Sequence, residues 1–212
     1  AATRRSSVVY PEGDGKPMAE TGIHVAELMR LILILQDWYR LQPLVHVGGN
    51  LLLYYVRGNS HLSLSPDVFV AKGVPKEPPL RIYPVWELGP PAVVIEVTSR
   101  STRRQDAVKK RDLYEQMGVR EYYLYDPLGD WVHAGLRGYR LGAAGYEPAV
   151  EAAEGGLLSI ELELRLVIGA GQLQFYDPRN GQRLLSPPER AAVEAVRAEA
   201  QQRRAEAEAA RA

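Results

Sequence analysis

Apolar residues recur at helical spacing between Ile23 and Tyr39, where Val25, Leu28, Met29, Ile32, Leu35 and Trp38 fall mostly three or four positions apart. This stretch predicts an amphipathic helix with Thr21 as its N-cap and Pro43 as its stop. The pattern then changes. "LVHVGGNLLLYYV" (Leu44 to Val56) is strand-like on both sides of Gly48-Gly49, a pair suited to a bulge or tight bend, and "SPDVFVAKG" (Ser65 to Gly73) reads as the next strand. The Pro-rich stretch from Val74 to Pro91 reads as a loop. "AVVIEVTS" (Ala92 to Ser99) is nearly continuous in apolar character and rich in β-branched residues, as expected of a strand covered on both faces and central in its sheet. A helix follows from about Thr102 to Met117, ended by Gly118 in the C′ position, and "EYYLYDP" (Glu121 to Pro127) resumes as a strand.

Helix, strands, helix, strand is the order of an α/β fold with a mixed sheet and helices on its faces. From Gly129 to Leu185 short strand-like pieces between glycines predict a β-rich extension of the same domain. "YDP" occurs twice, at Tyr125 to Pro127 and Tyr176 to Pro178, in surroundings that share no period, so both read as strand-end turns. From Pro187 the composition shifts to Ala, Glu and Arg and predicts a long helix. Its apolar stripe is thin, with Val193 and Val196 continued only by alanines, the mark of a frayed or weakly coiled-coil tail. The expected organisation is an arm at 1–19, a domain at 20–185 whose extension begins at about 129, and a helical tail at 186–212.

Composition narrows the chemistry. With 212 residues, 46% of them apolar, the chain has ample material for a core. It has no cysteine, which excludes a disulfide scaffold, a thiolate zinc site and a cysteine nucleophile, and suits a cytoplasmic location. The apolar run from Leu31 to Leu35 falls far short of the ~20 residues that span a bilayer, so no membrane association is expected. The first residues are basic but lack the apolar core of a secretory signal. A formal net charge of zero argues against attachment to nucleic acid by bulk charge, while leaving room for a local basic patch.

Two charges sit where a core wants none. On a helix centred on Lys110, residues Asp106, Ala107, Leu113, Tyr114 and Met117 lie within roughly 60° of it, so the lysine stands amid the packing face. Asp106, one turn earlier, is a local partner. Glu96 interrupts the buried strand, and alternation puts Val94, Glu96 and Thr98 on one face. A helix returning over that face brings Lys110 toward Glu96. Asp67, after Pro66 at the opening of the neighbouring strand, supplies a second carboxylate.

Pro66-Asp67 followed by Glu96 on the next strand resembles the PD-(D/E)xK nuclease superfamily, with Thr98 where that motif has its lysine. "VVIEVTSRSTRRQDAVKKRDLYEQMGVREYYLYDP" is similar, more specifically, to the Uma-type family of restriction endonucleases, whose lysine lies on the following helix in a D-x3-K-x3-Y pattern matched by Asp106, Lys110 and Tyr114. The resemblance spans roughly Asp14 to Asp177. It implies a restriction-endonuclease-like core with the β-rich extension and C-terminal helix appended, and catalytic roles for Asp67, Glu96 and Lys110. It also implies supporting roles for Asp106, Tyr114 and, on the first helix, Glu20. His24 resembles a position where the family has histidine, although a capping or core-edge histidine is its simpler reading.

The residue types suit phosphodiester hydrolysis. A hard cation, Mg²⁺ or Mn²⁺, takes one or two carboxylates and keeps waters, which fits Asp67 and Glu96 as metal ligands. A lysine beside them orients the attacking water and offsets charge on phosphorus. Arg100, Arg103 and Arg104, at the strand-to-helix junction, are candidate DNA contacts, whereas Lys109 and Arg111 read as solvated surface. The expected function is a metal-dependent DNA endonuclease, and double-strand cutting favours a homodimer. The alternative is an inactive nucleic-acid-binding or interaction protein that keeps the charges as an ion-pair cluster. A carboxylate-pair glycosidase fits less well, because neither the lysine nor the missing aromatic platform suits sugars.

Overall fold

The computed structural model describes residues 8–13, 21–98, 105–129, 132 and 135–211, the side chains of 105–107 excepted. Helix α1 (Gly22–Trp38) begins as its sequence predicts, with Thr21 extended and its Oγ1 accepting the N–H of His24. Its buried face carries His24, Glu27, Leu28, Leu31, Ile34 and Leu35, while Val25 and Met29 are exposed. The packing stripe is therefore rotated from the expected one. "LILIL" is apolar all round and offers two stripes, and the inner one is chosen by polar residues that find partners inside.

Strand β1 (Val45–Gly48) ends at the glycine pair, after which β2 (Leu53–Tyr54) and β3 (Ser63–Leu64) form a small separate ladder. Strand β4 (Val68–Lys72) follows Pro66-Asp67. The Pro-rich stretch is not wholly loop: it contains β5 (Tyr83–Pro84), parallel to β2, and the short helix α2 (Val85–Leu88). Tyr83 explains the difference, since its ring is fully buried and its hydroxyl donates to Gly89 O, folding the segment onto the sheet.

Strand β6 (Val93–Val97) is buried at every position, as its β-branched run predicts. A π-helical turn (Gln105–Lys110) leads into α3 (Arg111–Met117), and Gly118 ends that helix with φ of 84° in the left-handed region. Strand β7 (Glu121–Tyr125) runs parallel to β6. With β8 (Leu136–Gly142) and β9 (Gly145–Pro148) the main sheet has the order β1-β4-β6-β7-β8-β9, antiparallel except at β6–β7. This is the α/β core expected from the sequence, with β6 inside it.

The sheet is covered on both faces. Leu31, Ile34 and Leu35 of α1 pack with Val68, Val93 and Ile95 on one face, together with Leu164, Leu166 and Phe175 of the extension. On the other face Phe69, Val94 and Leu124 meet Tyr114 of α3 and Leu53 and Tyr83 of the small ladder. The extension strands β10 (Leu157–Ser159), β11 (Leu164–Gly169) and β12 (Gln172–Tyr176) form their own antiparallel sheet. Buried Glu121 fixes it to β7, its carboxylate accepting from Tyr123 and Ser159 hydroxyls and from the N–H groups of Ile160 and Glu161. Both "YDP" segments are turns, with Asp126 accepting N–H groups of Leu128, Gly129 and Val132 and Asp177 that of Arg179.

Helix α4 (Pro187–Ala209) starts in a capping box between Ser186 and Glu189 and buries no residue. Arg190 ties its first turn to Asp37 of α1. At the other end of the chain Tyr10 meets Tyr54 edge-on and Trp86 at a tilt, and Pro11 O accepts the Tyr54 hydroxyl, so this part of the arm is strapped to the small ladder. Among the described residues no helix is long and apolar enough to cross a membrane.

Candidate active site

Strands β4 and β6 set the carboxylates. Val68 faces Ile95 in their antiparallel register, so one further step puts Asp67 opposite Glu96. Asp67 Oδ2 accepts the backbone N–H of Val97 at 2.8 Å. Its other oxygen, Oδ1, faces His24 Nε2 of α1 at 3.4 Å, with the two side chains 13% and 11% exposed. Gly49 keeps this corner tight, because a Cβ there would stand 2.1 Å from Asp67 O.

Glu96 has no exposed surface. A carboxylate left alone there would cost several kcal/mol, and two donors from the following helix offset that cost. Lys110 Nζ donates to Oε2 at 2.8 Å and the Tyr114 hydroxyl to Oε1 at 2.7 Å. Burial, reinforced by the charge of Glu96, pushes the Tyr114 phenol well above its ordinary value, so it stays a donor. Lys110 retains 16% exposure, whereas the Glu96 side chain beneath it has none. The lysine is the last residue of the π-helical turn, a distortion that recurs at functional sites.

Residues 3–170 match the profile of the Uma2 family, described as "Putative restriction endonuclease". The chain belongs to this family. A solved structure described as "a putative nuclease belonging to DUF820 from Anabaena variabilis" is similar at 19% identity, covering 64% of this chain and 71% of that chain with a TM-score of 0.47. No curated protein sequence matches the chain.

In this Uma2 chain the sequence-predicted Asp67, Glu96, Lys110 and Tyr114 are brought to one end of β4 and β6. Glu20, Arg100, Arg103 and Arg104 lie outside the described residues, as does the side chain of Asp106. Lys109 is exposed, as expected of solvated surface. Arg111 is held by the protein, donating to Asp112 and lying 5.8 Å over the Tyr139 ring.

Two carboxylates on adjacent strands form a donor set that suits a hydrated hard cation. Among the described residues no group of three or more His, Cys, Asp or Glu forms a full cage. The set fits Mg²⁺ or Mn²⁺ held partly by water, since a carboxylate oxygen that already accepts one hydrogen bond keeps a second lone pair.

The sequence reading missed Glu27. Its carboxylate accepts from Arg30 at 2.7 Å, the Tyr125 hydroxyl at 3.0 Å and Gln172 Nε2 at 3.0 Å, while Arg30 also donates to Leu173 O. This network fixes α1, and with it His24, to β7 and β12. The available signal was a glutamate four positions before Leu31, on the stripe that turned inward.

Proposed function

We propose that this chain is a metal-dependent DNA endonuclease in which Asp67 and Glu96 hold Mg²⁺ or Mn²⁺ and Lys110 serves the attacking water and the phosphoryl group. The observation that carries this reading is the buried Glu96 carboxylate bracketed by Lys110 and Tyr114, with Asp67 beside it on the next strand. Buried ion pairs seldom improve stability over apolar replacements, so charges kept at such cost point to chemistry.

When bound, the cation supplies Lewis acidity and a lowered pKa for water. The protein does the rest. Lys110, partly exposed, donates to the incoming phosphoryl oxygen and offsets charge that grows there. The Tyr114 hydroxyl fixes the orientation of the Glu96 carboxylate, and the Val97 N–H fixes that of Asp67. Asp106 and Glu20 support the site, and Arg100, Arg103 and Arg104 contact DNA phosphates. The nuclease unit is residues 20–185, it takes DNA as substrate, and a homodimer presents two such sites to the two strands.

Incubating supercoiled DNA with the protein and Mg²⁺ or Mn²⁺ tests this reading: nicked or linear product is expected. Glu96→Gln and Lys110→Ala should each lower the rate by about 10²-fold or more. Absence of cutting by the wild type, or cutting that survives both variants, overturns it. A non-catalytic binding protein on the same scaffold is the second reading. It is favoured by one feature, that both Glu96 oxygens already accept a hydrogen bond within the chain. DNA binding without cutting would establish it.

A further inference from the structure

Thr98 follows Glu96 by two residues, so strand alternation puts its side chain on the sheet face that carries Val94, Glu96 and α3. Its backbone is satisfied, the N–H donating to Tyr125 O at 2.7 Å. Its side chain is not. The residue is 2% exposed, and Oγ1 finds no hydrogen-bond partner among the described residues.

A buried hydroxyl without a partner costs about 1–3 kcal/mol, and valine, of the same shape, would avoid that cost at a position rich in β-branched neighbours. Among the described residues Glu96 accepts from Lys110 and Tyr114, and Asp67 from Val97, while the Thr98 hydroxyl has no partner.

We infer that the Thr98 hydroxyl is a ligand-facing group of the site, reserved for a water molecule of the hydrated divalent cation that Asp67 and Glu96 hold. The inference rests on the proposed metal-dependent reading of those carboxylates. Water on a divalent cation is a strengthened hydrogen-bond donor, and a threonine oxygen offers two lone pairs to receive it. The carboxylates supply charge, and Thr98 supplies a neutral acceptor that leaves the charge balance of the pocket unchanged. A hydrogen-bonding partner of this kind fixes the orientation of a coordinated water as outer-shell groups do elsewhere.

The test compares full-length wild type with Thr98→Val and Thr98→Ser, first by thermal unfolding without metal and then by Mn²⁺ titration in a calorimeter. Without metal, Thr98→Val should raise Tm by about 2–6 °C, the shift expected when a chain of this size loses one unsatisfied hydroxyl. The same variant should bind Mn²⁺ about tenfold more weakly, and Thr98→Ser should restore wild-type behaviour on both counts. A lowered Tm for Thr98→Val overturns the inference, because the hydroxyl then has an internal partner. Unchanged Mn²⁺ affinity overturns it too, and if Glu96→Gln abolishes that binding the metal reading still stands. A wild type that binds no Mn²⁺ ends both, whereas Thr98-dependent Mn²⁺ binding without DNA cutting ends only the nuclease reading.

Discussion

The carboxylate of Asp67 accepts the N–H of Val97 at 2.8 Å, one residue past Glu96 on the neighbouring strand. The register between β4 and β6 runs from Val70 facing Val93 to Val68 facing Ile95, and the Asp67 side chain carries on where the ladder stops. One oxygen therefore works as a strand-end cap, and the other remains turned toward His24.

Asp67→Asn keeps an oxygen that can accept the Val97 N–H, whereas Asp67→Ala removes it. The alanine variant should lose about 1–2 kcal/mol in urea unfolding and the asparagine variant clearly less. Both should lose Mn²⁺ binding measured by calorimetry, which separates the capping role from the charge.

Removing Lys110 leaves the buried Glu96 carboxylate with one donor fewer. Lys110→Ala should destabilise the fold by about 2–3 kcal/mol, below the range for a fully buried pair because the lysine is 16% exposed. Combining Lys110→Met with Glu96→Gln should recover most of that loss in chemical denaturation, while leaving no cutting activity.

Tyrosines give the fold an alkaline limit. Burial raises the phenols of Tyr39, Tyr83, Tyr114, Tyr123, Tyr125 and Tyr146 above the ordinary 10.0. A raised folded value means that the unfolded chain releases its protons first, so the contribution is full below pH 10 and is lost as pH rises beyond it. Stability followed by circular dichroism should fall steeply above about pH 10, with phenolate absorbance appearing together with unfolding. Tyr114→Phe should make the fall shallower, at the expense of the hydrogen bond to Glu96.

Gly49 is needed for lack of a side chain. A Cβ would meet Asp67 O at 2.1 Å and Ile32 Cδ1 at 2.7 Å. Gly49→Ala should cost about 1–3 kcal/mol by overpacking and should weaken Mn²⁺ binding, since the Asp67 backbone has to move.

Cutting the chain after Leu185 removes the capping box and α4, which buries no residue. The Asp37–Arg190 pair is partly exposed and contributes little. The truncated protein should melt within about 2 °C of the full chain in calorimetry, about what 1 kcal/mol or less produces at this size.

The core and the charged cluster were legible because both break or keep a simple period. The continuous β-branched run of β6 marked an interior strand, and Glu96 and Lys110 stood out as charges on faces that periodicity assigned to packing. Three features were not legible. "LILIL" supports two helical stripes, and the choice between them depends on Glu27 meeting Arg30, Tyr125 and Gln172, the last 145 residues away in sequence. The Pro-rich stretch conceals β5, because one buried Tyr83 outweighs local turn propensity. The π-helical turn before α3 leaves no mark on a pattern of apolar positions, since the extra residue in its winding is set by the backbone and not by any apolar side chain.

Because Asp67 and Glu96 are held by interior strands whose ladder is covered on both faces, the loops around them are free to diverge. Exposed turns such as Glu77 to Pro79 can change while Tyr83 and the extension's Leu164, Leu166 and Phe175 stay packed and the two carboxylates keep their spacing. A scaffold of this type lets its outer turns drift through evolution, or be exchanged by grafting, with the charged cluster carried along intact.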